Sequence, residues 1–317
     1  MKYYKIENAD LNVSAIALGC MRFVKYSFEN GQFSMIPLSE EKVEEVVLTA
    51  LEEGINFFDH ADIYGNGVSE ELFGKVLEKH PDLRGKMIIQ TKCGICDGYY
   101  DLSKKHIMES VEASLGRLKC GYLDILLLHR PDALMDVREV AEAFDELYAS
   151  GKVRYFGVSN MNVGQIKLLK KYCKQPILFN QLQFNVVNAT MIDQGINVNM
   201  NNTGAIDRDG GILDYCQLED ITIQAWSILQ ASWEKGSFLD HEEYKDLNAK
   251  LEELAKKYDV SKAAISVAWI LKHPAQIQAI AGTTSVEHLK DIAKAVDVEL
   301  TKKEWYELYL SVNRMLP

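Results

Sequence analysis

Short apolar runs of four to six residues recur along the chain, at 55–58, 87–91, 125–129, 153–158, 177–181, 221–226 and 277–281. They are rich in Ile, Leu and Val and barely alternate, which is the pattern of strands buried on both faces. Between them the apolar positions return every three or four residues, as on one face of a helix. Ser39 precedes Val43, Val46, Val47, Ala50 and Leu51, and Gly54 follows as a stop. Ser69 precedes Leu72, Phe73, Val76 and Leu77. Ser103 precedes Ile107, Val111, Leu115 and Leu118, with Gly121 beyond. Val140, Phe144, Leu147 and Tyr148 form another stripe before Gly151. Asn162 opens a segment with Ile166, Leu169 and Tyr172, and Ser261 one with Ile265, Ala268 and Trp269 that ends near Pro274. Thr301 and Glu304 form a capping box ahead of Trp305, Leu308 and Val312.

Strand alternates with helix from about residue 16 to 295, so a parallel sheet with right-handed crossovers is expected. An open doubly wound sheet usually carries G-x-G-x-x-G after its first strand, and none occurs. Eight strands closed into a (β/α)8 barrel, one domain over 1–317, suit the length. Residues 186–211 break the rhythm: they are rich in Asn, Gly and Asp, lack helical periodicity, and read as a long loop after the sixth strand.

Composition narrows the function classes. Of the 317 residues 47% are hydrophobic and 26% charged, with 6 Pro and 20 Gly, which excludes a disordered or low-complexity chain. Thirty-five Lys and Arg against 46 Asp and Glu leave a net charge of −11, which argues against nucleic acid or an anionic membrane as a partner. No apolar stretch nears the ~20 residues of a membrane span, the first residues have no signal-peptide core, and a cytoplasmic location is expected. Six cysteines are too sparse for a disulfide scaffold. Cys93 and Cys96 form a lone C-x-x-C, better read as packing than as a zinc or redox site.

Function in such a barrel sits where the strands end. The polar residues ending successive runs are Asp59, Lys92, His129, Ser159 with Asn160, Asn180 with Gln181, and Trp226 with Ser227. A lone buried charge is costly, so Asp59, Lys92 and His129 at three adjacent strand ends point to a shared site in which Asp59 pairs with Lys92.

Tyr64 lies five residues after Asp59, in Phe58-Asp59-His60-Ala61-Asp62-Ile63-Tyr64-Gly65. This stretch resembles the signature of the aldo-keto reductases, close to a bacterial subgroup with His in place of the usual Thr. The runs MIIQTKC (87–93), LLLHRPD (126–132), GVSN (157–160), NQLQFN (180–185) and AWSIL (225–229) follow in that family's order. The resemblance covers the chain from Leu18 to Ser285. It implies a catalytic tetrad of Asp59, Tyr64, Lys92 and His129 and a nicotinamide cofactor that reduces an aldehyde or ketone to an alcohol. The residue chemistry agrees. A phenol can deliver a proton but titrates near ~10, and an ammonium ~4 Å away supplies up to about 4 kcal/mol towards its ionisation. Asp59 would hold Lys92, and His129 would orient the carbonyl.

The same resemblance places Ser159, Asn160 and Gln181 on the nicotinamide carboxamide, Trp226 on the ring face, and Ser227 and Leu229 at the start of a pyrophosphate loop. That loop reads Ser227-Ile228-Leu229-Gln230-Ala231-Ser232, without the family's glycines. After Gly282, the usual clamp for a 2′-phosphate reads Thr283, Thr284, Ser285 and His288, and its fixed cations are gone. Three hydroxyls at a helix start still form an anion site, so NADP(H) is favoured, with NAD(H) the alternative. His288, when protonated, would strengthen the preference. Met21 and Arg22 border the substrate pocket, with residues 93–101 and 186–211 expected at its entrance. Arg22 either draws anionic substrates or pairs with an acid. No metal is expected, because His60 and Asp62 lack the clustered partners of a metal hydrolase. The rival to an enzyme is a cofactor-binding sensor or partner-binding subunit with little turnover. A monomer and a homodimer both suit the patterning.

Overall fold

The computed structural model describes residues 1–29 and 32–317. Eight parallel strands close into a barrel. They are β1 (Ile16–Gly19), β2 (Phe57–Asp59), β3 (Ile88–Cys93), β4 (Leu123–Leu128), β5 (Val153–Ser159), β6 (Ile177–Gln183), β7 (Thr222–Trp226) and β8 (Gln278–Ala281). Each pairs with its chain neighbours, and β8 closes on β1 with Ile280 opposite Ala17. The expected (β/α)8 architecture is therefore the one observed. The strands are almost wholly buried, as their largely apolar runs require.

The surrounding helices are α1 (Glu40–Glu52), α2 (Val68–Lys79), α3 (Lys104–Leu118), α4 (Val137–Ala149), α5 (Val163–Tyr172), α6 (Thr190–Ile196), α7 (Ile212–Leu218), α8 (Lys245–Tyr258), α9 (Lys262–Leu271), α10 (Val286–Ala293) and α11 (Lys302–Leu310). Ser39, Ser103, Asn162, Ser261 and Thr301 each accept a hydrogen bond from a first-turn backbone N–H, as the sequence predicts. Ser69 does not cap. It lies inside α2, after Gly67 at φ 92°, and its hydroxyl donates to the Cys20 carbonyl at 2.8 Å. That bond ties α2 to the end of β1. Gly74 lets α2 approach α3, since a Cβ there would lie 2.0 Å from the Arg117 carbonyl oxygen.

Two features depart from the sequence reading. Residues 186–211 are not wholly irregular: they contain α6 and a short turn at Thr203–Ala205. Asp193 of α6 accepts from the Tyr309 hydroxyl and pairs with Arg314, both at 2.8 Å. Arg314 also donates to the Val186 and Val187 carbonyls. Order in this segment comes from partners more than a hundred residues away. Secondly, two hairpins rise after strand ends that the pattern leaves as loops. Val24–Glu29 pairs with Gln32–Pro37 beyond β1, and Gln230–Ser232 with Gly236–Ser237 beyond β7. No helix among the described residues is long and apolar enough to cross a membrane.

Candidate active site

Lys92 is fully buried near the end of β3. Its ammonium lies 2.9 Å from both carboxylate oxygens of Asp59 at the end of β2. It also donates to the His60 carbonyl at 2.7 Å and the Tyr64 hydroxyl at 3.0 Å. Its hydrogens thus have a carboxylate, a carbonyl and a phenol as acceptors, the pairing a buried charge needs. Burial alone would depress the lysine pKa. Asp59 and Tyr64 outweigh it, and the pKa stands above the usual value.

The turn after β2 brings Tyr64 to this point. The His60 N–H donates to the Gln90 carbonyl, Asp62 N–H to the Lys92 carbonyl and Tyr64 N–H to the Ala61 carbonyl. Gly65, Asn66 and Gly67 then adopt positive φ in succession. Gly65 is required twice over: a Cβ there would also lie 2.5 Å from Val24. The Gly65 N–H donates to the Tyr26 hydroxyl at 2.7 Å, which docks the first hairpin on the turn.

Electrostatics sort the titratable groups. Burial pushes the Tyr64 phenol above its ordinary value of 10.0, and Lys92 opposes it without reversing the direction. Taken alone, the lysine's pull predicts a lowered phenol, and desolvation outweighs that pull. His129, just beyond β4, is held well below 6.5, first by burial and then by Lys92 and Arg130. It is a neutral imidazole at physiological pH. Its ring stands edge-on to Tyr64 with centroids 6.0 Å apart. His60 is pushed down to about 3 by burial and then Lys92, and packs on Phe73 with neither ring nitrogen bonded. Asp62 is pushed up to about 7 by burial and then by the nearby Glu70.

A second group lies on β5, β6 and β7. The Trp226 indole N–H donates to Asn160 Oδ1 at 3.1 Å, Asn160 Nδ2 to the Ser159 hydroxyl at 2.7 Å, and that hydroxyl to the Gln181 carbonyl at 3.1 Å. Asn160 (φ 56°) and Ser227 (φ 55°) both sit in the left-handed region, at the ends of β5 and β7. Such backbone strain is characteristic of binding sites, and serine tolerates it less well than asparagine. Asn185 braces the turn after β7 by donating to the Ser227 and Gln230 carbonyls at 2.7 and 3.0 Å.

One cavity of about 1010 Å³ joins the two groups. Asp59, Tyr64, His129, Ser159, Asn160, Gln181, Trp226, Ser227, Leu229, Gly282, Thr283, Thr284, Ser285 and His288 all border it, while Lys92 is sealed behind Tyr64. At its far end Ser285 caps α10, accepting from the His288 N–H at 3.3 Å, and Thr283 accepts from the Ser285 N–H at 3.2 Å.

The lining differs from expectation in three respects. Of 93–101 only Ile95 reaches the wall, and nothing from 186–211 does. The C-terminal segment holds 186–187 to itself, and the hairpin residues Tyr26 and Trp233 take that place. Secondly, Arg22 lines the cavity and makes no ion pair with a described residue. Thirdly, Arg130 and Lys262, absent from the residues the sequence points to, also face it, Lys262 paired with Asp240. The signal for Arg130 was its place next to His129. Lys262 opens a helix rather than ending a strand and gave none. Cys93 is buried with its pKa raised well above 9.0 by that burial, which makes it an inert thiol. Cys96 lies 3.8 Å from the His106 ring.

The profile of the Aldo/keto reductase family matches residues 15–309. The oxidoreductase YcsN of Bacillus subtilis is 32% identical over 318 residues, covering 96% of each chain. A 6-dehydroglucose reductase of Agrobacterium fabrum is 33% identical over 281 residues, covering 86% of this chain and 88% of its own. Among solved structures, a thermostable aldo-keto reductase in complex with the inhibitor epalrestat superposes with a TM-score of 0.74 at 26% identity, over 98% of this chain and all of the other. With the barrel, the buried Asp59–Lys92–Tyr64 contact and a family match over nearly its whole length, the chain belongs to the aldo/keto reductases, a family of oxidoreductases that use nicotinamide cofactors.

Proposed function

We propose that this protein reduces an aldehyde or ketone to an alcohol, with NADP(H) as its cofactor and Tyr64 as the proton donor. The observation that carries the reading is the Lys92 ammonium, fully buried and bound to both Asp59 and the Tyr64 hydroxyl. The cofactor, when bound, supplies the hydride. The residues present suit it. Trp226 offers an aromatic face at the cavity, fixed by its bond to Asn160. Asn160 and Gln181 offer amide groups, and Thr283, Thr284 and Ser285 gather hydroxyls at the start of α10.

Tyr64 gives its proton to the carbonyl oxygen as negative charge develops there. A phenol raised by burial is fully protonated at neutral pH, so the acid is always loaded. Lys92 acts on the other side of the step: at 3.0 Å and an effective dielectric of ~20, its attraction for a forming phenolate is about 5 kcal/mol. Asp59 fixes the ammonium. His129, neutral, offers a ring N–H to the carbonyl oxygen and so directs it to Tyr64.

The fit to NADP(H) over NAD(H) rests on the hydroxyls and His288, supplemented by Lys262 and Arg22, which line the same cavity. The test is the loss of absorbance at 340 nm with NADPH, then with NADH, against a panel of small aldehydes. Carbonyl-dependent oxidation, faster with NADPH, is expected. Binding of the dinucleotide without turnover of any carbonyl would favour a sensor, and no binding would overturn the proposal.

A further inference from the structure

Four glutamines from four strands meet inside the barrel: Gln90 on β3, Gln181 on β6, Gln224 on β7 and Gln278 on β8. Gln90, Gln224 and Gln278 are wholly buried and Gln181 nearly so. Branched aliphatic residues ordinarily fill such an interior, and a buried amide costs free energy unless it is hydrogen-bonded. The register sets Gln181 opposite Gln224, Gln224 opposite Gln278, and Gln90 opposite Asp59.

The hydrogen bonds through these amides run in one direction. The Ser14 carbonyl, just before β1, can only accept, and Gln278 Nε2 donates to it at 2.7 Å. Gln278 therefore turns its oxygen to Gln224, which donates Nε2 to it at 2.9 Å. Gln224 in turn presents its own oxygen, which accepts from Gln90 at 2.9 Å and from Gln181 at 3.2 Å. The same two NH₂ groups reach Asp59 Oδ1, at 2.6 Å and 3.0 Å. A backbone carbonyl at one end thus settles which end of every amide faces the carboxylate at the other. Gln90 bears a cost for this, because its own oxygen has no partner. A buried unpaired acceptor calls for a reason, and here the amide is oriented for its hydrogens. The arrangement also leaves the Gln181 oxygen as the acceptor it can show to the cavity.

We propose that Gln224, and behind it Gln278, are positioning residues: they hydrogen-bond to none of the four tetrad side chains, yet they lock Gln90 and Gln181 with their N–H groups on Asp59, and so fix the carboxylate that fixes Lys92 and Tyr64. The inference rests on the reductase reading of the site. Its tests include one that does not require turnover.

Gln224→Met keeps the volume and removes both hydrogen-bonding ends. It is expected to lower kcat tenfold to a hundredfold, in line with the cost of small misplacements of catalytic groups, with KM for the carbonyl changed less than threefold. Gln224→Glu, when uncharged, can accept at one oxygen and donate from the other, as the amide does. At pH 6 it is expected to restore kcat to within about threefold of the wild type. A merely structural role gives no such rescue.

The second test is a double-mutant cycle on the melting temperature of the cofactor-free protein, with Gln224→Met and Asp59→Asn. Coupling through the amides predicts that the second substitution lowers the melting temperature less once the first is present. Gln224→Met with kcat within twofold of wild type, Gln224→Glu no better than Gln224→Met, or an additive cycle would each overturn the proposal. Absence of carbonyl turnover in the wild-type protein would instead count against the reductase reading, and the cycle would still decide this one.

Discussion

The two ends of the cavity are built differently. At the end formed by β2, β3 and β4, every polar atom of the Lys92 ammonium has a partner, and Asp59 takes bonds from Lys92, Gln90 and Gln181. At the other end, beyond β7 and β8, the wall is Thr283, Thr284, Ser285 and His288 with the turn that starts at Ser227, and the cations lining the cavity come from elsewhere in the chain. The first end is over-determined: moving one group disturbs several. The second is a set of separate contacts, each replaceable. Chemistry demands fixed distances, whereas holding a phosphate needs only enough positive charge and enough donors nearby.

That contrast is most sharply tested by substitutions at each end. Lys92→Met at the closed end should lower kcat by about a thousandfold, the loss of an assisted proton transfer. The dinucleotide affinity, measured by quenching of tryptophan fluorescence, should change less than threefold. An equal loss of affinity would mean that the two ends are not separate. Lys262→Ala, at the open end, should do the reverse, weakening NADPH about tenfold while leaving NADH and kcat almost unaltered. Equal weakening of both dinucleotides would remove Lys262 from any contact with the 2′-phosphate.

His288 should contribute less. The preference for NADPH over NADH should shrink a few-fold in His288→Ala, through the loss of one polar contact at the cavity wall. A preference equal to that of the wild type would exclude the contribution. The smallest expected effect concerns Asp62, behind the tetrad. Its carboxyl titrates at about 7 in the folded chain, raised from 3.8 by burial and then Glu70. The protein is therefore most stable, as far as this group is concerned, below pH ~4, and loses that stability as the pH rises towards 7. Asp62→Asn should raise the melting temperature at pH 8 and leave it almost unchanged at pH 4. A reversed order would show that Asp62 is held as an anion.

Much of the closed end was legible in the sequence, because an ionisable residue ending an apolar run is rare and three occur at successive strands: Asp59, Lys92 and His129. Tyr64 needed the family signature, since a tyrosine in a turn carries no pattern of its own. The alternation of strand and helix, the absence of G-x-G-x-x-G and the length also pointed to the barrel. The interior glutamines were harder to read. Gln90 and Gln224 each interrupt an apolar run, and the interruption was visible, but nothing local says that the two would share one oxygen across the barrel. Lys262 was invisible for a related reason: it reaches the cavity from the start of α9, through packing and not through a strand end. The order in 186–211 depends on Tyr309 and Arg314, far along the chain, and no periodicity within the segment announces it.

The proposed chemistry turns on delivery of the proton by Tyr64. The most direct measurement is NADPH oxidation at 340 nm by wild type and Tyr64→Phe, with the same aldehyde, alongside the affinity of each for NADPH by fluorescence. Turnover should fall by about a hundredfold or more in Tyr64→Phe with the affinity unchanged within threefold, because the phenol oxygen is expected to serve the carbonyl and not the dinucleotide. A Tyr64→Phe protein that turns over at the wild-type rate would contradict it.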